Sequence, residues 1–222
     1  MGATTRAASG NEVDAAVARL AEATATTGGN LPKLDAGQLD KLKRYLETLL
    51  LWRSRMALIS TADPLLLVEH HIVDSLHLVA HVSERATVAD IGSGAGLPGI
   101  PLAVALPDVA VKLVESRRKK ANFLREARRL ADLRNIEVVE GRAEECLPAH
   151  CLEAVVSRAL GSVEEFLELG SRVLAAGGVA IAMRGPDGTE DAISDSRFEV
   201  PKVVGYELAG GRRRTLLEYR LR

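Results

Sequence analysis

The sequence predicts an α/β fold, with a mostly parallel seven-stranded sheet that ends in an antiparallel hairpin and is preceded by a helical extension. The chain has 222 residues, a length that one α/β domain commonly fills. Its 47% hydrophobic and 27% charged residues can build a core and keep the surface soluble. From Thr87 onward strand and helix patterns alternate, which favours parallel strands joined by right-handed crossovers.

The first 85 residues predict two regions. Residues 1–30 are rich in Ala, Thr and Gly, so we expect a largely flexible arm with at most a weak helix over Glu12–Ala25. Residues 31–85 predict the helical extension, because leucines recur at helical spacing over Asp35–Arg55 and Pro64 suits the first turn of a second helix. The inner side of that second helix is expected to contain Leu66, Leu67, His70, Ile72, Val73, Leu76 and Val79.

Residues 86–222 predict the sheet. The five parallel strands are expected at Thr87–Ile91, Val109–Val114, Ile136–Val139, Leu152–Val156 and Val179–Met183. Helices are expected at Ile100–Leu106, Arg118–Leu130 and Val163–Leu174. Lys202–Leu208 and Thr215–Leu221 flank a Gly-Gly turn and predict the closing hairpin.

A glycine-rich loop follows the first strand and precedes a helix, as a nucleotide-binding loop does. Gly94, Gly96 and Gly99 fit the dinucleotide pattern GxGxxG, whereas Gly92, Gly94 and Gly96 fit the GxGxG pattern of S-adenosylmethionine enzymes. Glycines allow sharp turns and a close approach of the backbone to a ligand. The loop therefore predicts a cofactor site, with NAD and S-adenosylmethionine both open.

Two acidic residues narrow the choice of cofactor. Glu115 ends the second strand about 20 residues after the loop, where a carboxylate can bind the ribose hydroxyls of adenosine. Asp90 precedes the loop and suits the ammonium group of a methionine. Seven strands with a terminal hairpin also match methyltransferases better than dehydrogenases, so S-adenosylmethionine is the preferred cofactor.

Charge is segregated along a chain whose net charge is −1. Residues 112–134 carry +6, residues 41–55 and 212–222 carry +4 each, and residues 140–168 carry −5. This pattern excludes a wholly basic nucleic-acid binder but favours a phosphate-binding face. With seven aromatic residues extensive base stacking is not expected, so structured RNA held by its backbone is the better fit.

Other chemistries find little support. Cys146 and Cys151 are too few for a disulfide scaffold or a zinc ribbon, which suggests a reducing cytoplasm. His77 and His81 lie one helical turn apart, but no acidic residue completes a zinc motif, so we expect no metal. No apolar stretch reaches the roughly 18 residues of a membrane span, and the N-terminus lacks a signal-peptide core.

Several motifs in order resemble the RsmG (GidB) methyltransferases of bacterial 16S ribosomal RNA. They are Trp52, His71–Leu76, Asp90–Gly99, Glu115-Ser116 with Lys119, Phe123–Glu126, Gly141–Glu145 and Ser157-Arg158-Ala159. Three positions depart from the family pattern. Ala57-Leu58-Ile59 replaces an Asn-Leu-Thr run, His70 replaces an arginine, and Arg184 replaces a lysine.

The resemblance implies a class I methyltransferase that methylates a guanine N7 (guanine 527) in the decoding-region stem-loop, either in free 16S rRNA or in the small ribosomal subunit. By position, S-adenosylmethionine would be bound by Asp90, Gly92, Gly94, Gly96, Leu97, Glu115, Ala143, Glu144 and Arg158. Arg158 would also be the catalytic residue. The basic residues Arg118, Lys119, Arg128 and Arg184 would contact RNA, and we expect a monomer.

Guanine N7 carries no proton, so its methylation needs alignment and electrostatics rather than a general base. Two alternatives remain at this point. One is a class I methyltransferase that acts on a small molecule, favoured if the basic segments lie on different faces. The other is a catalytically inactive RNA-binding relative, suggested by the departure at Ala57–Ile59.

Overall fold

The computed structural model describes residues 9–25, 31–53, 56–82, 87–158 and 161–222. The helices in these ranges are α1 (Gly10–Ala25), α2 (Ala36–Arg53), α3 (Pro64–Leu67), α4 (Val73–Leu76), α5 (Gly99–Ala105), α6 (Arg118–Leu130), α7 (Ala143–Cys146) and α8 (Val163–Val173). The strands are β1 (Thr87–Ile91), β2 (Ala110–Glu115), β3 (Ile136–Glu140), β4 (Leu152–Arg158), β5 (Leu174–Arg184), β6 (Lys202–Leu208) and β7 (Arg212–Arg220). Among the described helices, none has the length and apolar character needed to cross a bilayer.

The seven strands form one sheet in the order β3-β2-β1-β4-β5-β7-β6. Strands β1 to β5 run parallel to one another, while β7 runs antiparallel to β5 and β6. The predicted mostly parallel sheet with a terminal hairpin is confirmed. The carboxyl ends of β1 to β5 meet at one edge. The β6–β7 turn lies at the same edge, because Arg184 at the end of β5 pairs with Thr215 near the start of β7, and Leu208 pairs with Arg212.

The sheet separates two hydrophobic cores, since successive side chains of a strand point to opposite faces. One core combines Val88 and Val156 of the sheet with Leu42 and Leu76 of the helical extension, all fully buried. The second core lies on the other face, against α8. The helical extension therefore packs directly on one face of the sheet and is positioned to contact residues at its edge.

Residues 10–25 form a regular helix, so the prediction of a largely flexible arm is wrong for this segment. Val13, Ala16 and Leu20 are buried against neighbouring helices, α2 among them. These small apolar side chains form a weak stripe in the sequence and are stabilised by tertiary packing rather than by helix propensity. Residues 1–8 and 26–30 of the predicted arm lie outside the described residues, and the boundary between extension and sheet domain stays a prediction.

The helix predicted from Pro64 is present but irregular. Asp63 caps it, and a π-helical turn at Val68–Ile72 follows α3 before α4 and a short 3₁₀ turn at His77–His81. Ile72 is buried as predicted, whereas Leu66 is 37% exposed and was wrongly placed on the inner side. A π turn adds a residue to the helical repeat, which changes the residues that face the core beyond it.

Several element ends also differ from expectation, and β7 begins at Arg212 rather than Thr215. Strand β5 begins at Leu174 rather than Val179, and a register shift relative to β4 accommodates the additional residues. Helix α2 ends at Arg53, and the predicted end at Arg55 lies outside the described residues.

Candidate functional site

The glycine loop lies at the carboxyl end of β1 and is shaped by three left-handed residues. The φ angles of Gly92, Gly94 and Gly96 are 72°, 55° and 85°. Gly99 has no such φ and begins α5. The GxGxG register therefore contains the glycines that the backbone requires here, because other residues adopt these angles at a cost.

The glycines differ in what surrounds them. A Cβ at Gly96 would lie 2.5 Å from Ile100 Cδ1, and one at Gly99 would collide with Leu113. At Gly94 the nearest atoms would be the Gly92 carbonyl oxygen at 3.6 Å and Lys120 Nζ at 3.7 Å. Gly96 and Gly99 thus permit close packing inside the protein, whereas Gly94 leaves space beside the loop.

Two groups from outside the loop hold it in place. The buried Tyr45 of α2 donates a hydrogen bond from Oη to the Ala95 carbonyl at 2.8 Å. Asp90 Oδ2 accepts from the Gly99 N–H at 3.0 Å, while its buried Oδ1 has no hydrogen-bond partner. Burial of the carboxyl group raises the pKa of Asp90 to about 7. Asp90 is therefore a buried acid with one oxygen still available to a donor.

Glu115 folds across the glycine loop from the end of β2. Its Oε2 accepts from the Gly94 N–H at 3.0 Å and its Oε1 from the Arg117 N–H at 2.8 Å. The side chain is nearly buried, and a carboxylate with two such bonds retains acceptor capacity. The neighbouring strand β3 is followed by α7, which begins with the buried Ala143 and the exposed Glu144. The structure thus brings the predicted cofactor residues other than Arg158 together along the ends of three adjacent strands.

Arg158 ends β4, on the other side of β1 from Glu115. Its Nη2 donates to His71 Nδ1 at 2.5 Å and lies 3.5 Å from Asp74 Oδ2. Burial, together with the positive charge of Arg158, lowers the pKa of His71 to about 4. His71 is therefore a neutral acceptor at physiological pH, and its Nδ1 is already occupied. Ala159 of the same sequence motif lies outside the described residues.

Asp74 connects Arg158 to the C-terminal hairpin. The Asp74 carboxylate is almost fully buried, and its Oδ1 accepts from Tyr206 Oη at 2.6 Å and lies 3.7 Å from Arg214 Nε. The ring of Tyr206 in turn contacts that of His77, with centroids 4.1 Å apart. We call this group the Asp74 cluster; it comprises Asp74, His71, Arg158, Tyr206 and Arg214.

Sequence reasoning did not assign a role to Asp74, Tyr206 or Arg214. Asp74 stood in one of the quoted motifs, which was the available signal for it. Tyr206 and Arg214 had no such signal, because they reach Asp74 across more than 130 residues of chain.

The predicted RNA-binding residues do not form one group. Arg118 and Lys119 are exposed at the start of α6, beside the end of β2. Arg128 is ten residues further along α6, about 15 Å away at 1.5 Å per residue, near the opposite edge of the sheet. Arg184 ends β5, and its side chain is 12% exposed with Nε 3.6 Å from Asp191. Arg118 and Lys119 are therefore the most accessible cations beside the glycine loop among these four.

His77 and His81 contact neighbouring side chains, and the two cysteines are exposed. His81 Nδ1 lies 2.8 Å from Glu218 Oε2, and His77 packs against Tyr206 as described above. Cys146 and Cys151 are both free thiols on the surface. In the part of the chain that the structure describes, no three His, Cys, Asp or Glu side chains are grouped to hold a metal ion.

Comparison with known proteins gives the family. The sequence profile of the family described as rRNA small subunit methyltransferase G matches residues 38–206, which is well over half of the chain. The chain belongs to this family. One relative is "Ribosomal RNA small subunit methyltransferase G" of Xanthomonas axonopodis pv. citri (strain 306), which is 39% identical over 172 residues, 78% of this chain and 81% of the relative. The protein of the same name from Stenotrophomonas maltophilia (strain K279a) is 41% identical over 152 residues, 68% of this chain and 71% of the relative.

Solved structures agree on the fold. A SAM-dependent methyltransferase from Aquifex aeolicus superposes with a TM-score of 0.57 at 19% identity, covering 71% of this chain and 93% of that one. The tRNA (m1A58) methyltransferase TrmI from Aquifex aeolicus gives a TM-score of 0.53 at 14% identity, covering 67% and 68%. The methyltransferase G family member described here thus has the SAM-dependent methyltransferase fold that its sequence predicts.

Proposed function

We propose that this protein transfers a methyl group from S-adenosylmethionine to N7 of a guanine in the decoding-region stem-loop of 16S rRNA, which is guanine 527 by the family resemblance. The observation that carries the proposal is the meeting, at one sheet edge, of the glycine loop, Asp90, Glu115 and Arg158. Membership of the rRNA small subunit methyltransferase G family supports an RNA substrate. We further propose that the protein acts as a cytoplasmic monomer on free 16S rRNA or on the small ribosomal subunit.

The residues at the loop fit this cofactor chemically. The unpartnered Oδ1 of Asp90 can accept a hydrogen bond from an ammonium group such as that of methionine. The carboxylate of Glu115 retains acceptor capacity for ribose hydroxyls. The space beside Gly94 allows a ligand to approach the loop backbone. Leu97, Ala143 and the left-handed loop glycines would complete the site, and Glu144 would lie beside the adenine.

The residues around Arg158 fit a reaction that needs no general base. When bound, S-adenosylmethionine supplies an activated methyl group, and guanine N7 supplies a lone pair without a proton to remove. His71 is the candidate general base beside Arg158, but its Nδ1 already accepts a hydrogen bond from Arg158. The proposed role of Arg158 is to orient the guanine or the cofactor carboxylate, which its planar, multidentate guanidinium group can do.

RNA would be held by charge at the same edge. Arg118 and Lys119 are exposed there, and Arg184 lies at the end of β5. Arg128, near the opposite edge, would contact RNA only if the substrate extends along α6. Because the four predicted cations do not form one group, family membership rather than charge segregation supports RNA over a small-molecule substrate.

The test is methylation of 16S rRNA and of small subunits from a bacterial strain that lacks this activity, with methyl-labelled S-adenosylmethionine. We expect one labelled N7-methylguanine, identified by nucleoside mass spectrometry and mapped to the decoding-region stem-loop. Arg158→Ala serves as the inactive comparison, and the exposed Arg172→Gln near the opposite edge serves as the matched arginine control. Label on an exocyclic amine or a ribose would refute N7 as the target atom. Cofactor binding without label on any RNA would favour the inactive RNA-binding relative.

A further inference from the structure

The C-terminal hairpin projects beyond the rest of the sheet. The pairing between β5 and β7 ends at Arg184 and Thr215, and three arginines precede Thr215 in β7: Arg212, Arg213 and Arg214. At about 3.4 Å per residue, these three positions carry the hairpin about 10 Å past the end of β5. The projection lies at the edge that contains the glycine loop and Arg158.

The three arginines divide between the two faces of the hairpin. Leu216 belongs to the core shared with the helical extension, and Leu217 belongs to the core on the other face. Because side chains alternate along a strand, Arg212 and Arg214 lie on the face of Leu216, whereas Arg213 lies on the opposite face. Arg212 and Arg214 therefore point toward the same side as the Asp74 cluster.

His70 reports the proximity of these two arginines. It lies in the π turn next to His71, and the Arg158 guanidinium approaches its carbonyl oxygen at 3.5 Å. The pKa of His70 is lowered by burial first, and then by the positive charges of Arg212 and Arg214. His70 and the two arginines thus line one surface beside Arg158.

The positive charge on this surface is incompletely balanced. Asp74 is shared between Arg158 and Arg214, and Glu69 next to His70 is paired with Arg19. Arg212 is exposed and makes no ion pair with any described residue. Arg158, Arg212 and Arg214 therefore face a single carboxylate that two of them share, and a bound anion would balance the remaining positive charge.

We propose that Arg212, Arg214 and His70 form a phosphate-binding subsite for the RNA backbone, an inference that rests on the proposed function. Four strand spacings, about 19 Å in total, separate β7 from β2, after which Arg118 and Lys119 begin α6. The subsite and the start of α6 therefore hold different phosphates on opposite sides of Arg158. The target nucleotide lies between them.

The hairpin supplies its own matched control, since Arg212→Gln and Arg213→Gln remove the same exposed charge from opposite faces of adjacent positions. Binding of the decoding-region stem-loop RNA is measured by fluorescence anisotropy over a range of salt concentrations. Arg212→Gln should make the slope of log affinity against log salt concentration shallower by about 0.7, the value for one phosphate contact to a single strand. The affinity lost relative to the parent should therefore be about fivefold greater at 0.1 M salt than at 1 M salt. Arg213→Gln should keep the parental slope, and both variants should keep the parental affinity for S-adenosylhomocysteine.

The outcomes separate this subsite from the proposed function. If Arg212→Gln keeps the parental slope while Arg118→Gln with Lys119→Gln lowers it, the RNA is bound but the subsite is refuted. Equal losses in Arg212→Gln and Arg213→Gln would also refute it, because a diffuse charge effect would then suffice. Failure of the unsubstituted protein to bind the RNA would refute the proposed function and the subsite together.

Discussion

The glycine loop and the Asp74 cluster lie at the same sheet edge but are built in different ways. The loop takes its shape mainly within a short stretch of chain, where Asp90 accepts a hydrogen bond from Gly99 and glycines adopt left-handed φ angles. Single hydrogen bonds to Tyr45 and Glu115 then fix its position. The Asp74 cluster joins side chains from three distant segments, the helix after Pro64, the end of β4 and the hairpin. We therefore expect substitutions in the loop to change cofactor affinity, and substitutions in the cluster to change the rate of methyl transfer.

The largest effect is expected for Arg158→Ala. Loss of its positioning should lower the single-turnover rate at saturating RNA and cofactor by about 100-fold, the cost typical of a small misalignment. Arg158→Lys should recover part of the rate, because lysine keeps the charge but lacks the planar fork. If Arg158→Ala weakened cofactor binding but kept the parental single-turnover rate at saturation, Arg158 would act like the loop residues. The proposed difference between the loop and the Asp74 cluster would then be wrong.

The next largest effect is expected for Asp74→Asn, which keeps the shape and removes the charge that holds Arg158. We expect about a tenfold lower single-turnover rate, and no further loss when Asp74→Asn is added to Arg158→Ala, because coupled residues act as a unit. Tyr206→Phe should cause a smaller loss of the same kind. Tyr219→Phe, which removes a hydroxyl on the other face of the hairpin, is the matched control. Additive losses in the double variant would show that Asp74 does not act through Arg158.

A change in pH is expected to alter the cofactor affinity of the loop by a comparable factor. The pKa of Asp90 is raised by burial to about 7, so the folded protein takes up a proton there as pH falls from 8 to 6. An ammonium ligand prefers the ionised carboxylate, so S-adenosylhomocysteine affinity should fall about tenfold over that range, as one proton per molecule must be released on binding. The same raised pKa means that Asp90 contributes stability at low pH that is lost as pH rises toward 7.

The control for Asp90 is Asp90→Asn, which cannot titrate. Calorimetry should show weaker binding by this variant at pH 8 but no change in affinity between pH 6 and 8. A pH dependence that survives the substitution would assign the titrating group elsewhere.

The smallest effect is expected for His71→Gln on the pH profile. Guanine N7 has no proton to lose, and the pKa of His71 is about 4, so neither group titrates near neutrality. Single-turnover rates at saturating RNA and cofactor should be nearly flat from about pH 6.5 to 8.5, both in the parent and in His71→Gln. A rate that rises tenfold per pH unit and loses this dependence in His71→Gln would reveal a general base and contradict N7 methylation.

Local sequence patterns predicted the sheet and the helices between its strands well, and the N-terminal helices less well. The strands at Thr87–Ile91 and Lys202–Leu208 were predicted residue for residue, because alternation and turn glycines are local signals. Helix α1 was predicted as largely flexible, because its small apolar side chains gain stability only when neighbouring helices bury them. The π turn at Val68–Ile72 was not predicted, since nothing in a regular helical repeat marks an inserted residue.

The sequence by itself determined the glycine loop, the acidic residues that accompany it and the family to which the chain belongs, since each depends on residues in a short stretch or on motifs in order. Only the tertiary structure decided that Asp74 links Arg158 to Tyr206 and Arg214. The physical reason is that side-chain hydrogen bonds and ion pairs act over a few ångströms. Whether two residues come that close depends on how the extension, the sheet and the hairpin pack together.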